Sequence, residues 1–498
     1  MKRIKKNIIS AIIAQIVTII TGFLVQRYIL ITYGSTYNGL TSSINQILQY
    51  LVLIEAGITT ASIQALYKPI IEKDNCIING ILSATRLKFI KIGLIFLIVL
   101  LITSFILPLI IEDEMNYWLV FMITIASGIS TGFTYMFINK YQALFYADNK
   151  TGIVYNITSG ANIFICVIKI LFMKLNLSIV YVQLATLFGV AFKFIYMYHI
   201  VYYDYKKISF KTPPRYDLIK KSSNVLVHQI AGFVNNNIDV LLITVFSTLK
   251  NVSLYSVYSM IFGHISSLLQ NIFAQAPLGY LGQYYAKDKE KFKKIFDAFE
   301  TSYTYVTFVI LTSTMVVILP FIKLYTIGIN DISYINFVLA ILFFISQILN
   351  LIRIPSIVTV NISGYFKETQ KGAIIESIIN LMVSLFLFSH IGIYGLLVGT
   401  IIAMIFRSID ITYYVYHNIL EKKIRTFLYK LCIHFAVAIV FIYFTYYSIL
   451  ERVTNWFKWI SYSGLVVMMV AIIYIVMEIL LFKKDIYTVV SLIKYKKK

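Results

Sequence analysis

Apolar runs of about 20–27 residues recur from one end of this 498-residue chain to the other. Such a run, coiled as a helix, crosses a bilayer core of roughly 30 Å. A water-soluble domain cannot hide so many of them. With 59% hydrophobic and 13% charged residues, the chain falls outside soluble composition. The first run begins at Ile8, behind Lys2, Arg3, Lys5 and Lys6, as a signal peptide's would. It continues to about Thr32 without a small-x-small cleavage site, and reads as a retained span.

Fourteen spans are expected, at about 8–33, 38–66, 89–111, 117–138, 153–173, 178–202, 222–247, 253–280, 298–320, 333–357, 373–390, 393–416, 428–449 and 458–482. The fold class is therefore all-α polytopic membrane protein with about fourteen transmembrane helices. The net charge of +22 tests that count. With the N-terminus in the cytoplasm, 34 of the 44 Lys and Arg fall in inside segments and five in outside loops. The other five, Arg27, Lys169, Lys193, Arg353 and Arg407, lie within spans. Such asymmetry is what orients membrane proteins, and it places both termini in the cytoplasm. The bases serve orientation, so no nucleic-acid partner is expected. Three cysteines without motif spacing (Cys76, Cys166, Cys432) indicate neither a disulfide framework nor a metal site.

Every outside loop is short. The mid-chain inside segment, "KKISFKTPPRYDLIKK" within 203–221, carries Pro213–Pro214 and reads as an extended linker. It divides the chain into six spans (1–202), six spans (222–416) and a final pair with a basic tail (417–498). The halves repeat weakly. "RYILITYGSTYNGL" closes span 1 and "DVLLITVFSTLKNVSLY" closes span 7; "LIT" and "ST" align at an offset of 212. "YADNKTG" after span 4 echoes "GYFKETQKG" after span 10. Both halves start from the inside, so the repeat is parallel.

Polar residues gather on spans 1, 2, 7 and 8. Span 1 carries Gln15, Thr18, Gly22 and Gln26 at helical spacing. Span 2 carries Ser42, Asn45, Gln46, Gln49, Ala56 and Thr60, with Glu55 nearby. Span 7 carries Asn224, His228, Gly232, Asn235, Asn236 and Asp239. Span 8 carries Ser256, Ser259, Gly263, Ser267, Gln270, Asn271 and Ala274. Polar residues in a bundle face protein or water, so the pattern predicts a hydrophilic cavity between two bundles. Small residues serve helix packing equally well. Packing is the better reading for the Ser, Gly and Ala positions; the cavity is the better one for Asn45, Gln46, Gln49, Asn236 and Asp239.

The in-span charges divide. Lys169, near a span end, reads as snorkelling. Arg407 has Asp410 three residues on, an intrahelical pair. Glu55 has two readings, pairing with Arg27 or ion coupling. His228 and His264 read as hydrogen-bonded structural residues, and Glu376 and Glu478 receive no role. Arg27 lies about 20 residues beyond Ile8, roughly 30 Å along a helix. Snorkelling and substrate contact both remain open for it.

Fourteen spans in two parallel six-span sets plus a pair resembles the multidrug/oligosaccharidyl-lipid/polysaccharide (MOP) flippase superfamily. Within it the chain resembles a Wzx-type polysaccharide repeat-unit flippase. The residues that carry this are "QRYILITYGSTYNGLTSSINQILQYLVLIEAGITTASIQALYKP", "NNNIDVLLITVFSTLKNVSLYSVY" and "NISGYFKETQKGA". The resemblance implies a MATE-like, V-shaped pair of bundles working by alternating access around spans 1, 2, 7 and 8. It implies movement of an undecaprenyl-diphosphate-linked oligosaccharide to the outer leaflet of a bacterial cytoplasmic membrane. The implied partners are that substrate, membrane lipids, a polymerase and other assembly proteins; no cofactor or metal is implied. In such carriers bases serve the diphosphate, which points to Arg27 first and Arg353 second. A guanidinium suits the task because it bonds phosphate through two parallel donors. The substrate-contact set expected from all of this is Arg27, Gln26, Asn45, Gln46, Gln49, Glu55, Asn236, Asp239, Asn271 and Arg353.

Two other classes compete. A multidrug antiporter of the same fold would need buried acids in the first half, where span 1 has only Arg27 and Glu55 stands on span 2. A polymerase or glycosyltransferase would need a large or acidic outer loop, and "YGSTYNG" has neither property. No GxxxxGK[ST] segment supports an ATP-driven pump. The chain therefore reads as a transporter and not an enzyme.

Overall fold

A computed structural model describes residues 2–55, 57–111, 114–219, 238–271 and 278–483. Among them there is no strand. Among the described residues, twelve helices are long and apolar enough to cross a membrane. The chain is an all-α polytopic membrane protein. It divides into two compact units: residues 1–226 with 240–253, and residues 227–239 with 254–498.

The first unit runs through α1 (Lys2–Tyr33), α2 (Ser35–Val52), α3 (Ile58–Glu72), α4 (Asn75–Ile110), α5 (Tyr117–Phe137) and α6 (Asn139–Ala147). It continues with α7 (Thr151–Lys174), α8 (Ile179–Leu184) and α9 (Thr186–Asp204). Residues 240–246 of the helix 238–246 (α10) and the first turn of α11 (Leu249–Gln270) complete it. Its core is two apolar clusters. One gathers Ile29, Leu40, Phe96, Ile123 and Leu249. The other gathers Ala61, Ile81, Phe145, Met197 and Val201.

The expected second span is not one helix. It breaks at a 3-10 turn, Leu53–Glu55, followed by Gly57 at φ 81°. A left-handed residue cannot continue a right-handed helix, and glycine adopts it without steric cost. The pieces on either side serve different cores: Leu40, Ile44 and Leu48 of α2 join the first cluster, Ala61 and Leu66 of α3 the second. The expected span 7 lies largely outside the described residues.

The linker is non-helical from Tyr205 to Arg215, as the proline pair requires, but it is not slack. The Asn79 side chain donates to Lys207 O (3.2 Å) and accepts from Ser209 N (2.8 Å). Ser83 bonds Thr212 (3.1 Å), Arg86 donates to Phe210 O (3.3 Å) and Arg215 N to Gly80 O (3.1 Å). A Cβ at Gly80 would lie 2.7 Å from Arg215 Cγ, so only glycine admits this approach. Lys140 stands over the Tyr141 and Phe210 rings at 4.8 and 5.6 Å. Burial, with Arg86 nearby, pushes its amine down to about 8.

The second unit is built from the rest of α11 and from α12 (Leu278–Lys287), α13 (Lys289–Tyr325), α14 (Phe337–Ile352) and α15 (Ile354–Ser363). After these come α16 (Phe366–Ile391), α17 (Ile393–Val415), α18 (Arg425–Arg452) and α19 (Trp456–Leu481). Span 10, like span 2, is broken: α14 ends at Ile352 and α15 restarts around Pro355, a residue suited to a first turn. The rings of Tyr255, Tyr258 and Phe262 line up on Phe343 and join α11 to α14. Contrary to the expectation for Lys169, its amine does not reach for the surface. It is buried and donates to Gln183 Oε1 at 3.1 Å, which satisfies it inside the first unit.

Candidate functional site

In the first unit, α2 turns Ile44 and Leu48 into the core and leaves Asn45 and Gln49, four residues apart, exposed. Ser42 and Gln46 beside them are half-buried. Beyond the break, α3 exposes Thr60 and Gln64 at the same spacing. α2 and α3 are not among the twelve apolar spans, and exposed amides on them suit water or a polar ligand, since hydrocarbon offers no hydrogen bond. Irregular backbone at membrane depth has the same requirement. The break and the exposed amides thus mark one wet face. Glu55 sits in the broken turn, half-buried, and accepts a hydrogen bond from Thr59 Oγ1.

On α1, Gln26 and Arg27 are both half-buried. The rest of the expected α1 stripe serves packing in part. Thr18 donates to Ala14 O (2.9 Å) and accepts from Asn162 of α7 (3.2 Å). Asn7 ties the two helices again, donating to Asn149 O and accepting from Gly152 N, each at 3.0 Å.

The far end of α1 and α2 is sealed within this unit by residues 240–253. Asn38 Nδ2 donates to Ser253 Oγ (2.7 Å), and Ser43 bonds Thr244 (2.7 Å). Leu249 N, at the start of α11, donates to both Glu114 carboxylate oxygens (3.0 and 2.9 Å). A carboxylate is well placed at a helix N-terminus. A Cβ at Gly39 would lie 1.8 Å from Leu249 O, so backbone meets backbone there. These contacts join the two segments that align at an offset of 212.

In the second unit two of the expected substrate contacts are buried. Asp239 is buried and not a wall of open space: it accepts from Tyr255 OH (2.6 Å), and Thr400 Oγ1 lies 3.2 Å from each of its oxygens. Arg353 is also buried. Its Nη1 meets Glu376 Oε1 at 2.5 Å and its Nη2 meets Asn350 Oδ1 at 2.9 Å. Arg407 joins the same carboxylate at 3.7 Å and pairs with Asp410 at 2.5 Å, as its spacing predicts. Two guanidiniums and two carboxylates neutralise one another, because isolated charges at that depth are too costly. Arg353 is thus paired with Glu376. Glu376, given no role from sequence, is the hub; the signal was the pair of in-span arginines needing acids. Asn271 is exposed where α11 ends. Asn236, with Asn224, His228, Gly232 and Asn235, lies outside the described residues. Among the described residues no group of three or more His, Cys, Asp or Glu could hold a metal ion.

No family model and no curated protein matches the chain. Solved structures do. The lipid II flippase MurJ, in an inward closed conformation, superposes with a TM-score of 0.70 over 96% of this chain and 100% of its own, at 16% identity. This is the fold of MurJ. A multidrug resistance MATE family transporter of the MOP superfamily, inward-facing, gives 0.64 over 81% of this chain and 94% of its own, at 12% identity. A MOP superfamily transporter from Pyrococcus furiosus gives 0.54 over 85% of this chain and 97% of its own, at 13% identity.

Proposed function

We propose that the chain is a flippase that carries a polyprenyl-diphosphate-linked oligosaccharide from the cytoplasmic to the outer leaflet, as Wzx-type flippases do. The observation that supports it most is the wet face of α2, with Asn45 and Gln49 exposed in an otherwise apolar chain. Amides are suited to sugar hydroxyls, and the half-buried Arg27 to the diphosphate. The likeness to MurJ, a lipid II flippase, favours a lipid-linked substrate. In this reading the two six-helix sets alternate in exposing that face to the two leaflets. The protein sits in a bacterial cytoplasmic membrane with both termini inside, and hands its cargo to a polymerase and other assembly proteins.

Complementation of a flippase-null strain tests the reading, with membrane levels of each variant measured. Arg27→Ala abolishes surface polysaccharide at normal protein level, and Arg27→Lys retains part of it. Full polysaccharide from Arg27→Ala overturns the role of Arg27. Failure of the wild-type chain to complement any polysaccharide-flippase null overturns the substrate class.

The half-buried Glu55 in the broken turn favours one second reading, cation antiport by the same fold. In that case the chain expels a cationic dye from vesicles and Glu55→Gln stops it.

A further inference from the structure

The second unit holds a cluster of ionisable side chains that the transport reading does not use. It lies where α13, α18 and α19 meet. His434 is nine residues into α18 and Glu478 three residues before the end of α19, so both are near the membrane edge that carries Lys422, Lys423, Arg425 and Lys483. Both are sealed, their side chains 1% and 5% exposed.

The hydrogen bonding fixes where protons sit. His434 Nδ1 lies 2.7 Å from Lys430 O. A carbonyl only accepts, so Nδ1 carries a hydrogen. Nε2 lies 3.0 Å from Glu478 Oε1. Were both deprotonated, two lone pairs would face each other in a dry site. The contact needs one proton, held as imidazolium with carboxylate or as imidazole with carboxylic acid. Either form leaves the pair without net charge. The rings of Phe308 and Tyr474 flank the imidazole at 5.0 and 5.5 Å, and such faces favour the cation.

The titratable and charged groups facing the pair are Glu300 and Tyr305 of α13, Lys430 of α18 and Tyr474 of α19. Asp297 with Lys422 and Tyr416 lies behind Glu300, which accepts from Tyr416 OH at 2.6 Å. Beside the pair lies a cavity of about 10 Å³ lined by Glu300, Thr301, Lys430, His434 and Glu478. Glu478 Oε2 is buried and has no protein partner. The cavity is at the size of one water, which would donate to that oxygen.

We propose that His434 and Glu478 form a binding site for a single proton, completed by one water, that ties α18 to α19.

The test is nitrogen NMR of the six histidines in the detergent-solubilised full chain, with the His434→Gln spectrum or selective labelling giving the assignment. In Glu478→Gln, whose amide donates to a neutral Nε2, the shared proton is lost while the fold is kept. A wild-type His434 whose Nε2 is bare and unbonded at neutral pH overturns the proposal; an Nε2 that shares a proton supports it.

Discussion

The two units accommodate polar groups by opposite means. In the first, α2 and α3 turn uncharged amides and hydroxyls outward, at Asn45, Gln49, Thr60 and Gln64. In the second, the charges of Arg353, Glu376, Arg407 and Asp410 close on one another between α14, α16 and α17. Both stand beside a broken span, at Leu53–Gly57 and at Arg353. Yet one break borders an open face and the other is locked by an ion pair. A surface that meets changing partners tolerates neutral groups that water can satisfy. A charge that must stay put needs a permanent counter-charge.

The sharpest way to break this contrast is to remove the hub. Glu376→Ala leaves two buried guanidiniums with only Asp410 and costs about 3–5 kcal/mol, read as loss of folded protein in detergent. If it folds like wild type, the cluster is wet and the contrast fails. Next in size is Gly372→Leu. A Cβ there would lie 1.9 Å from Asp410 Oδ2 and 2.5 Å from Arg407 Nη1, so the side chain must push that ion pair aside; the expected loss is about 1–3 kcal/mol by thermal unfolding. Glu114→Ala removes the cap on Leu249 and costs about 0.5–2 kcal/mol. The double change Asn45→Ala and Gln49→Ala is the smallest in stability, within about 0.5 kcal/mol, because neither side chain is packed. It should nonetheless lower surface polysaccharide in the complementation strain. A large stability loss from that pair would show that α2 is packed and dry.

Much of the architecture was legible because hydrocarbon permits so few solutions. Apolar length and the basic asymmetry mark the spans without knowledge of packing. The breaks were harder to read. Gly57 and Pro355 are visible in the sequence, but only the two apolar clusters show why α2 and α3 part company. The polar face of α2 was legible from spacing alone. The fate of the charges was not: Arg353 and Glu376 are 23 residues apart, and no periodicity joins them. Lys169 misled for the same reason, since Gln183 satisfies it from the next helix. Asp239 drew attention through its repeat position, while its partners Tyr255 and Thr400 come from α11 and α17.

The stapled linker bears on how such a chain can be cut and rejoined. Residues 207–215 are sewn to α4 at Asn79, Gly80, Ser83 and Arg86. A hinge made of loose coil would accept a fluorescent insert or a split between co-expressed halves anywhere along it. This one offers no such freedom: an insert after Lys207 unpicks the stitching of the first unit, whereas a nick that leaves 207–215 attached to α4 preserves it.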